Sequence, residues 1–142
     1  MMDTEQELFN YIKGRYLEDL VKSEHPYEYH DCTSTLYKLH IELKCRHKHY
    51  KDLIIEKDKY EALVQQAEHL GFTPFYVNAT PQGIYAFNLR KITVKWVTKK
   101  LPAKTEFEDQ GLIDKSVALL PVCLAVQLWA TTYALSAESV RK

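Results

Sequence analysis

Residues 39–46, Leu39-His40-Ile41-Glu42-Leu43-Lys44-Cys45-Arg46, alternate without interruption: Leu39, Ile41, Leu43 and Cys45 are apolar, while His40, Glu42, Lys44 and Arg46 are polar or charged. Successive side chains of a strand leave opposite faces, so this alternation predicts a half-buried strand. Glu42 and Lys44 then share a face, with Cα atoms ~6.6–6.8 Å apart at the usual rise per residue. Asp31 lies 11 residues before Glu42, near the end of a run from Tyr27 to Thr33 that reads as another strand, and Thr33, Ser34 and Thr35 supply a turn. A hairpin turning there brings Asp31 back beside Glu42. Two carboxylates and an ammonium converge on one patch.

Upstream, Thr4 stands three residues before Glu7, a capping-box spacing, and Leu8, Tyr11, Ile12, Arg15 and Tyr16 through Leu20 recur at helical intervals. They predict a first helix over 5–22. Downstream, Leu53 to Ile55 suggests a short strand, and Glu56 to Leu70 a helix with Tyr60, Leu63, Val64, Ala67 and Leu70 inward and Gly71 as its stop. Thr73 to Asn78 reads as a strand, Ala79 to Gly83 as a turn, Ile84 to Leu89 as the next strand and Ile92 to Val97 as one more. Val117 to Leu135 is an uncharged run of 19 residues. Its Pro121, Gln127, Thr131 and Thr132, and its lack of a basic flank, favour a buried helix over a membrane span.

The expected class is therefore α/β: a central mixed sheet flanked by helices, followed by a C-terminal helix. At 142 residues, with neither repeat nor low-complexity tract, the chain reads as one domain, 1–142, with its core at about 5–97 and a C-terminal extension over 98–142. Its composition, 46% hydrophobic and 27% charged, excludes a disordered or collagen-like chain.

The formal charge is zero, 19 basic against 19 acidic residues, but it is sorted along the chain. Residues 1–37 carry 3 basic and 8 acidic side chains, residues 38–104 carry 13 and 6, and residues 105–142 carry 3 and 5. Because local fields act over a Debye length of ~8–10 Å, a basic middle can bind a polyanion although the whole is neutral. Candidate phosphate contacts are Arg46, Lys57 and Lys59 around the carboxylates, and Arg90, Lys91, Lys95, Lys99 and Lys100 in an acid-free stretch that also holds Trp96.

Three cysteines, Cys32, Cys45 and Cys123, make an odd set without C-x-x-C pairing, which points to a reducing compartment. The acidic start, MMDTEQELF, lacks the flank and apolar run of a signal peptide, so a cytoplasmic location without membrane attachment is expected. Cys45, His47 and His49, with His30 and Cys32 nearby, lack the C-x2-4-C or H-x3-5-H spacing of structural zinc sites.

Taken alone, Glu42 and Lys44 are a same-face ion pair worth less than ~1 kcal/mol, and Asp31 is a turn former. Together, in this order of elements, they suit other chemistry. Mg²⁺ takes hard oxygen ligands and is commonly held by one or two carboxylates plus substrate phosphate. An adjacent ammonium can orient water and stabilise charge developing at phosphorus. Asp31, a hairpin, Glu42-Leu43-Lys44 and a following amphipathic helix resemble the PD-(D/E)xK nuclease superfamily, whose α-β-β-β-α-β core is the restriction-endonuclease-like fold. The leading Pro of that motif is His30 here, and the resemblance spans roughly residues 5–90.

The resemblance implies a Mg²⁺-dependent (endo)deoxyribonuclease, with Mn²⁺ able to substitute, in which Asp31 and Glu42 hold the metal and Lys44 positions the nucleophile. Members similar to Holliday-junction resolvases add an acid from the first helix, for which Glu7 is the best match as a catalytic and metal residue and Glu5 the second. DNA would be the partner, its cleavage structure-selective, and a homodimer would be needed to cut two strands symmetrically. A compact nuclease of this kind suits a phage or mobile element. The competing expectation is a catalytically inactive nucleic-acid-binding or assembly module on the same fold, using Val117 to Leu135 as a dimer face.

Overall fold

The first helix begins where its cap stands. In the computed structural model, which describes residues 2–24, 31–102 and 111–130, Thr4 is extended and its Oγ1 accepts the Glu7 amide at 3.1 Å, starting α1 (Glu5–Arg15). Leu8, Phe9 and Ile12 are its buried stripe. The helix ends at Arg15 rather than at residue 22. Gly14 weakens its last turn, the Leu17 amide folds back onto the Ile12 carbonyl, and the Lys13 ammonium donates to the carbonyls of Glu18 and Leu20 at 3.0 and 2.7 Å.

The chain then forms β1 (Val21–Lys22), β2 (Asp31–Ser34), β3 (Leu39–Cys45), β4 (Asp52–Glu56), α2 (Lys57–Leu70), β5 (Thr73–Thr80), β6 (Gly83–Asn88), β7 (Trp96–Pro102), β8 (Leu112–Pro121) and β9 (Val126–Ala130). Gly71, at φ 72°, gives α2 the left-handed C-cap its sequence position suggests. A six-stranded mixed sheet runs β1-β2-β3-β5-β6-β9, with β3 and β5 parallel and every other pair antiparallel. The parallel pair needs a crossover, and α2 supplies it. A second, three-stranded sheet runs β4-β8-β7.

The two faces of the large sheet differ. On one, Cys32, Ile41, Leu43, Val77, Ala79, Ile84 and Ala86 pack with Leu8, Phe9, Ile12 and Leu20. On the other, Tyr76, Tyr85, Phe87 and Leu89 pack with Leu63 of α2, Leu53 and Ile55 of β4, and Ala118 and Leu120 of β8. That second core covers β5 and β6. Over β2 and β3 the same face carries Asp31, His40 and Glu42, and the helix there leaves a pocket instead of a seal.

Three expectations are corrected. The stretch from Val117 is not a helix: it completes β8, passes through a 3₁₀ turn at Val122–Leu124 and continues as β9, while residues 131–135 lie outside the described part. Val117, Ala118 and Leu120 are fully buried in the strand between β4 and β7, so the buried core continues beyond residue 97. A short continuous apolar run fits a doubly buried strand as well as a helix, and Pro121 ends that strand as it would have broken the helix. The strand expected over Ile92 to Val97 starts only at Trp96, and Leu53 to Ile55 belongs to the second sheet. Tyr27 to His30 lie outside the described residues. Among those described, no helix is long and apolar enough to cross a membrane.

Candidate active site

Antiparallel register sets Asp31 opposite Glu42 and Thr33 opposite His40. Directly opposed residues have Cβ atoms ~4.5–5.5 Å apart, so both carboxylates share one patch of sheet. Lys59, Ala62, Leu63 and Gln66, successive turns of α2, close a pocket of about 210 Å³ over Asp31, His40 and Glu42.

Asp31 is held from both sides. From the β1 side, the Ser23 amide donates to the Asp31 carbonyl at 3.0 Å and the Ser23 hydroxyl to Asp31 Oδ2 at 2.9 Å. From β3, His40 Nε2 lies 3.5 Å from the same oxygen. Oδ1 is buried and has no hydrogen-bond partner among the described residues. Burial and the Asp31 charge push the Glu42 carboxyl up to about 7, against the opposing pull of Lys59 and Lys44. The Lys44 side chain is exposed overall, yet desolvation of its ammonium, joined by like charge from Lys59 and Arg46, lowers its pKa. His40, 2% exposed, has its pKa lowered by burial, with Asp31 acting in the opposite sense.

This donor set fits a hard divalent cation. One buried carboxylate oxygen lacks a partner, and a second carboxylate is held partly protonated by burial and by the first. A cation between them would relieve both. Among the described residues no group of three His, Cys, Asp or Glu side chains forms a ready metal cage. The remaining ligands would have to be water or substrate oxygens, as is usual for Mg²⁺. Zinc does not fit: burial, followed by Glu5, pushes the Cys45 thiol up to about 12, and Cys32, also near 12, is sealed in the core. His30 lies outside the described residues.

Glu7 is not brought to the pocket. Its side chain is exposed and its Oε1 accepts the Thr4 hydroxyl at 3.1 Å, which holds it at the helix cap. Residues two apart on a helix face different ways, and it is Glu5 that turns toward β3. Glu5 Oε2 accepts the Cys45 amide at 3.2 Å, and its charge acts on both Glu42 and Lys44.

The basic residues divide. Lys59 lines the pocket, whereas the Lys57 ammonium sits 5.6 Å from the Trp96 ring centroid. Arg46 is engaged internally: Nε donates to Asn78 Oδ1 at 2.6 Å, and Nη2 donates to Tyr76 Oη at 2.9 Å and to the Ile54 carbonyl. It ties β3 and β5 to β4 and is not a free phosphate contact. Arg90, whose Nη2 donates to the Phe72 carbonyl at 2.8 Å, and Lys91 follow β6 at the end of the sheet where β3 and β5 begin. Lys95 and Lys99 are exposed, and Lys100 pairs with Asp114 at 2.8 Å.

Ser23 and His40 are site residues that motif spacing does not mark. His40 stands on the polar side of the alternation two residues before Glu42, which is a usable signal. Ser23 has none, because β1 is only 2 residues long. Comparisons with protein families, with curated proteins and with solved structures found no match to this chain.

Proposed function

We propose that this protein is a Mg²⁺-dependent nuclease hydrolysing DNA phosphodiester bonds, with Asp31 and Glu42 as metal-binding carboxylates and Lys44 as the group that positions the nucleophile. The observation that carries the reading is the register of β2 on β3, which places Asp31 opposite Glu42 on the face that also bears Lys44. The restriction-endonuclease-like core is part of the proposal. Its support is the succession α1, β1, β2, β3, α2, β5 around a mixed sheet, into which β4 is inserted as part of the second sheet.

When bound, Mg²⁺ supplies Lewis-acid stabilisation of charge on the phosphoryl oxygens and lowers the pKa of water. The chain's own groups do the rest. Asp31 and Glu42 present oxygens from adjacent strands and would hold the metal, Glu42 as the carboxylate once its proton has passed to solvent. As the ammonium, Lys44 would orient the water and stabilise charge on a non-bridging oxygen, and its lowered pKa leaves a larger share of neutral amine, which would accept the proton that the attacking water loses. Lys59, from the first turn of α2, faces the same pocket and adds a cation toward the phosphate. Glu5 takes the place of Glu7 as the first-helix acid of this reading, acting on Lys44 and Glu42.

The test is incubation with supercoiled, linear, single-stranded and branched DNA in Mg²⁺, in Mn²⁺ or in EDTA. The expected result is metal-dependent cleavage of at least one substrate, strongest on branched DNA if selectivity follows structure. DNA binding without cleavage of any substrate, and without metal binding by calorimetry, would replace this reading with that of an inactive binding module.

A further inference from the structure

Asp31 has two chemically different oxygens in this fold. Oδ2 is met by the Ser23 hydroxyl at 2.9 Å and by His40 Nε2 at 3.5 Å, while Oδ1 is buried and without a partner among the described residues. His40 is in turn held from behind, with Nδ1 lying 3.3 Å from Thr33 Oγ1, on the residue directly across the hairpin. A Thr33 hydroxyl donating to Nδ1 places the ring proton on Nε2, where it faces Asp31. The Ser23 hydroxyl thus hydrogen-bonds one carboxylate oxygen, with the His40 ring close beside it, and neither meets the other oxygen.

We propose that Ser23, His40 and Thr33 are positioning residues that hold the Asp31 carboxylate in one orientation, making Oδ1 the oxygen offered to a divalent cation. The inference rests on the metal-site reading above. Its physical basis is general: hydrogen bonds from outer groups orient a metal-ligating carboxylate, and their loss typically weakens metal affinity by about 10- to 100-fold. Neither Ser23 nor Thr33 lines the pocket, so neither is required to touch metal or substrate.

The experiment is calorimetric titration of the metal-free protein with Mn²⁺ alone, for the natural chain and for Ser23→Ala, Thr33→Val, His40→Ala and His40→Gln. Thermal melts establish that each variant is folded. Weaker Mn²⁺ binding is expected in His40→Ala, by about 10- to 100-fold, with smaller losses in Ser23→Ala and Thr33→Val. His40→Gln, which keeps an N–H donor, should recover most of the affinity. If His40→Ala does not fold, Ser23→Ala and Thr33→Val carry the test. Undiminished binding in the folded variants overturns the positioning role and leaves the metal site standing. Failure of the natural chain to bind Mn²⁺ overturns the metal site and this inference with it.

Discussion

Glu42 is the least comfortable ionisable group in the pocket, and its discomfort has a sign. Its pKa in the fold, about 7, lies above the ordinary 4.5, so between these values the folded chain holds a proton that the unfolded chain has released. Stability from this group is complete below pH 4.5 and is lost as pH rises through 7, a difference of about 3 kcal/mol. His40 acts in the opposite sense, because its lowered pKa costs stability as pH falls below 6.5. Comparison with Glu42→Gln therefore isolates the carboxyl. In EDTA, urea melts of the natural chain should lose that margin against Glu42→Gln between pH 4.5 and 8, and parallel profiles would contradict it. Arg46 calls for a different test. Its guanidinium satisfies Asn78, Tyr76 and the Ile54 carbonyl, so Arg46→Ala should cost about 2–4 kcal/mol in denaturant melts, whereas exposed Lys99→Ala should stay within about 0.5. Alternation gave Arg46 the correct face but not its partners, which arrive from β4 and β5. A phosphate contact and a buried tie look alike in one dimension.

At the level of elements, the parts built from periodic patterns were legible and those built from continuous apolar runs were not. Alternation marks β3 to within one residue, and the Tyr60 to Gly71 pattern marks α2, although Leu70 proves 40% exposed. The hairpin was legible but its turn was not: Thr33 and Ser34, read as turn residues, belong to β2, and the chain turns over residues 35–38 with Lys38 at φ 56°, a later turn that sets Ser34 opposite Leu39 and Asp31 opposite Glu42. The run from Val117 carries no period, and its helix reading failed because β4 and β7 flank it on both sides, a fact only tertiary structure supplies. Glu5 and Glu7 illustrate the same limit. Both sit in the first turn of α1, and pairing with Thr4 holds Glu7 at the cap while Glu5 reaches the Cys45 amide at the end of β3. If β8 is a core strand, Leu120→Ala should cost about 2–4 kcal/mol in equilibrium unfolding. A loss under about 0.5 kcal/mol, the range of surface substitutions, would return residues 98–130 to the status of an appendage.

At the scale of the whole molecule, neutrality is compatible with the proposed polyanionic substrate because charge is separated in space. The strand hairpin brings Asp31 and Glu42 to one face, Lys59 lines the same pocket, Lys44 follows Glu42 on that side of β3, and Lys95 and Lys99 lie exposed at the second sheet. The second sheet is what this chain adds to the proposed core. It closes the apolar half of the large sheet and leaves the carboxylate half open to the α2 pocket. Everything proposed about chemistry converges on Asp31, Glu42 and Lys44 acting together. The decisive measurement is single-turnover cleavage of a branched DNA in Mg²⁺ by the natural chain, Asp31→Asn and Lys44→Ala, with DNA binding followed in parallel. Lys44→Ala should bind DNA and cleave at least about 10²-fold more slowly, the scale of one lost charge-stabilising donor, and Asp31→Asn should be comparably impaired and need far more metal. Cleavage by both variants at the rate of the natural chain would contradict the account.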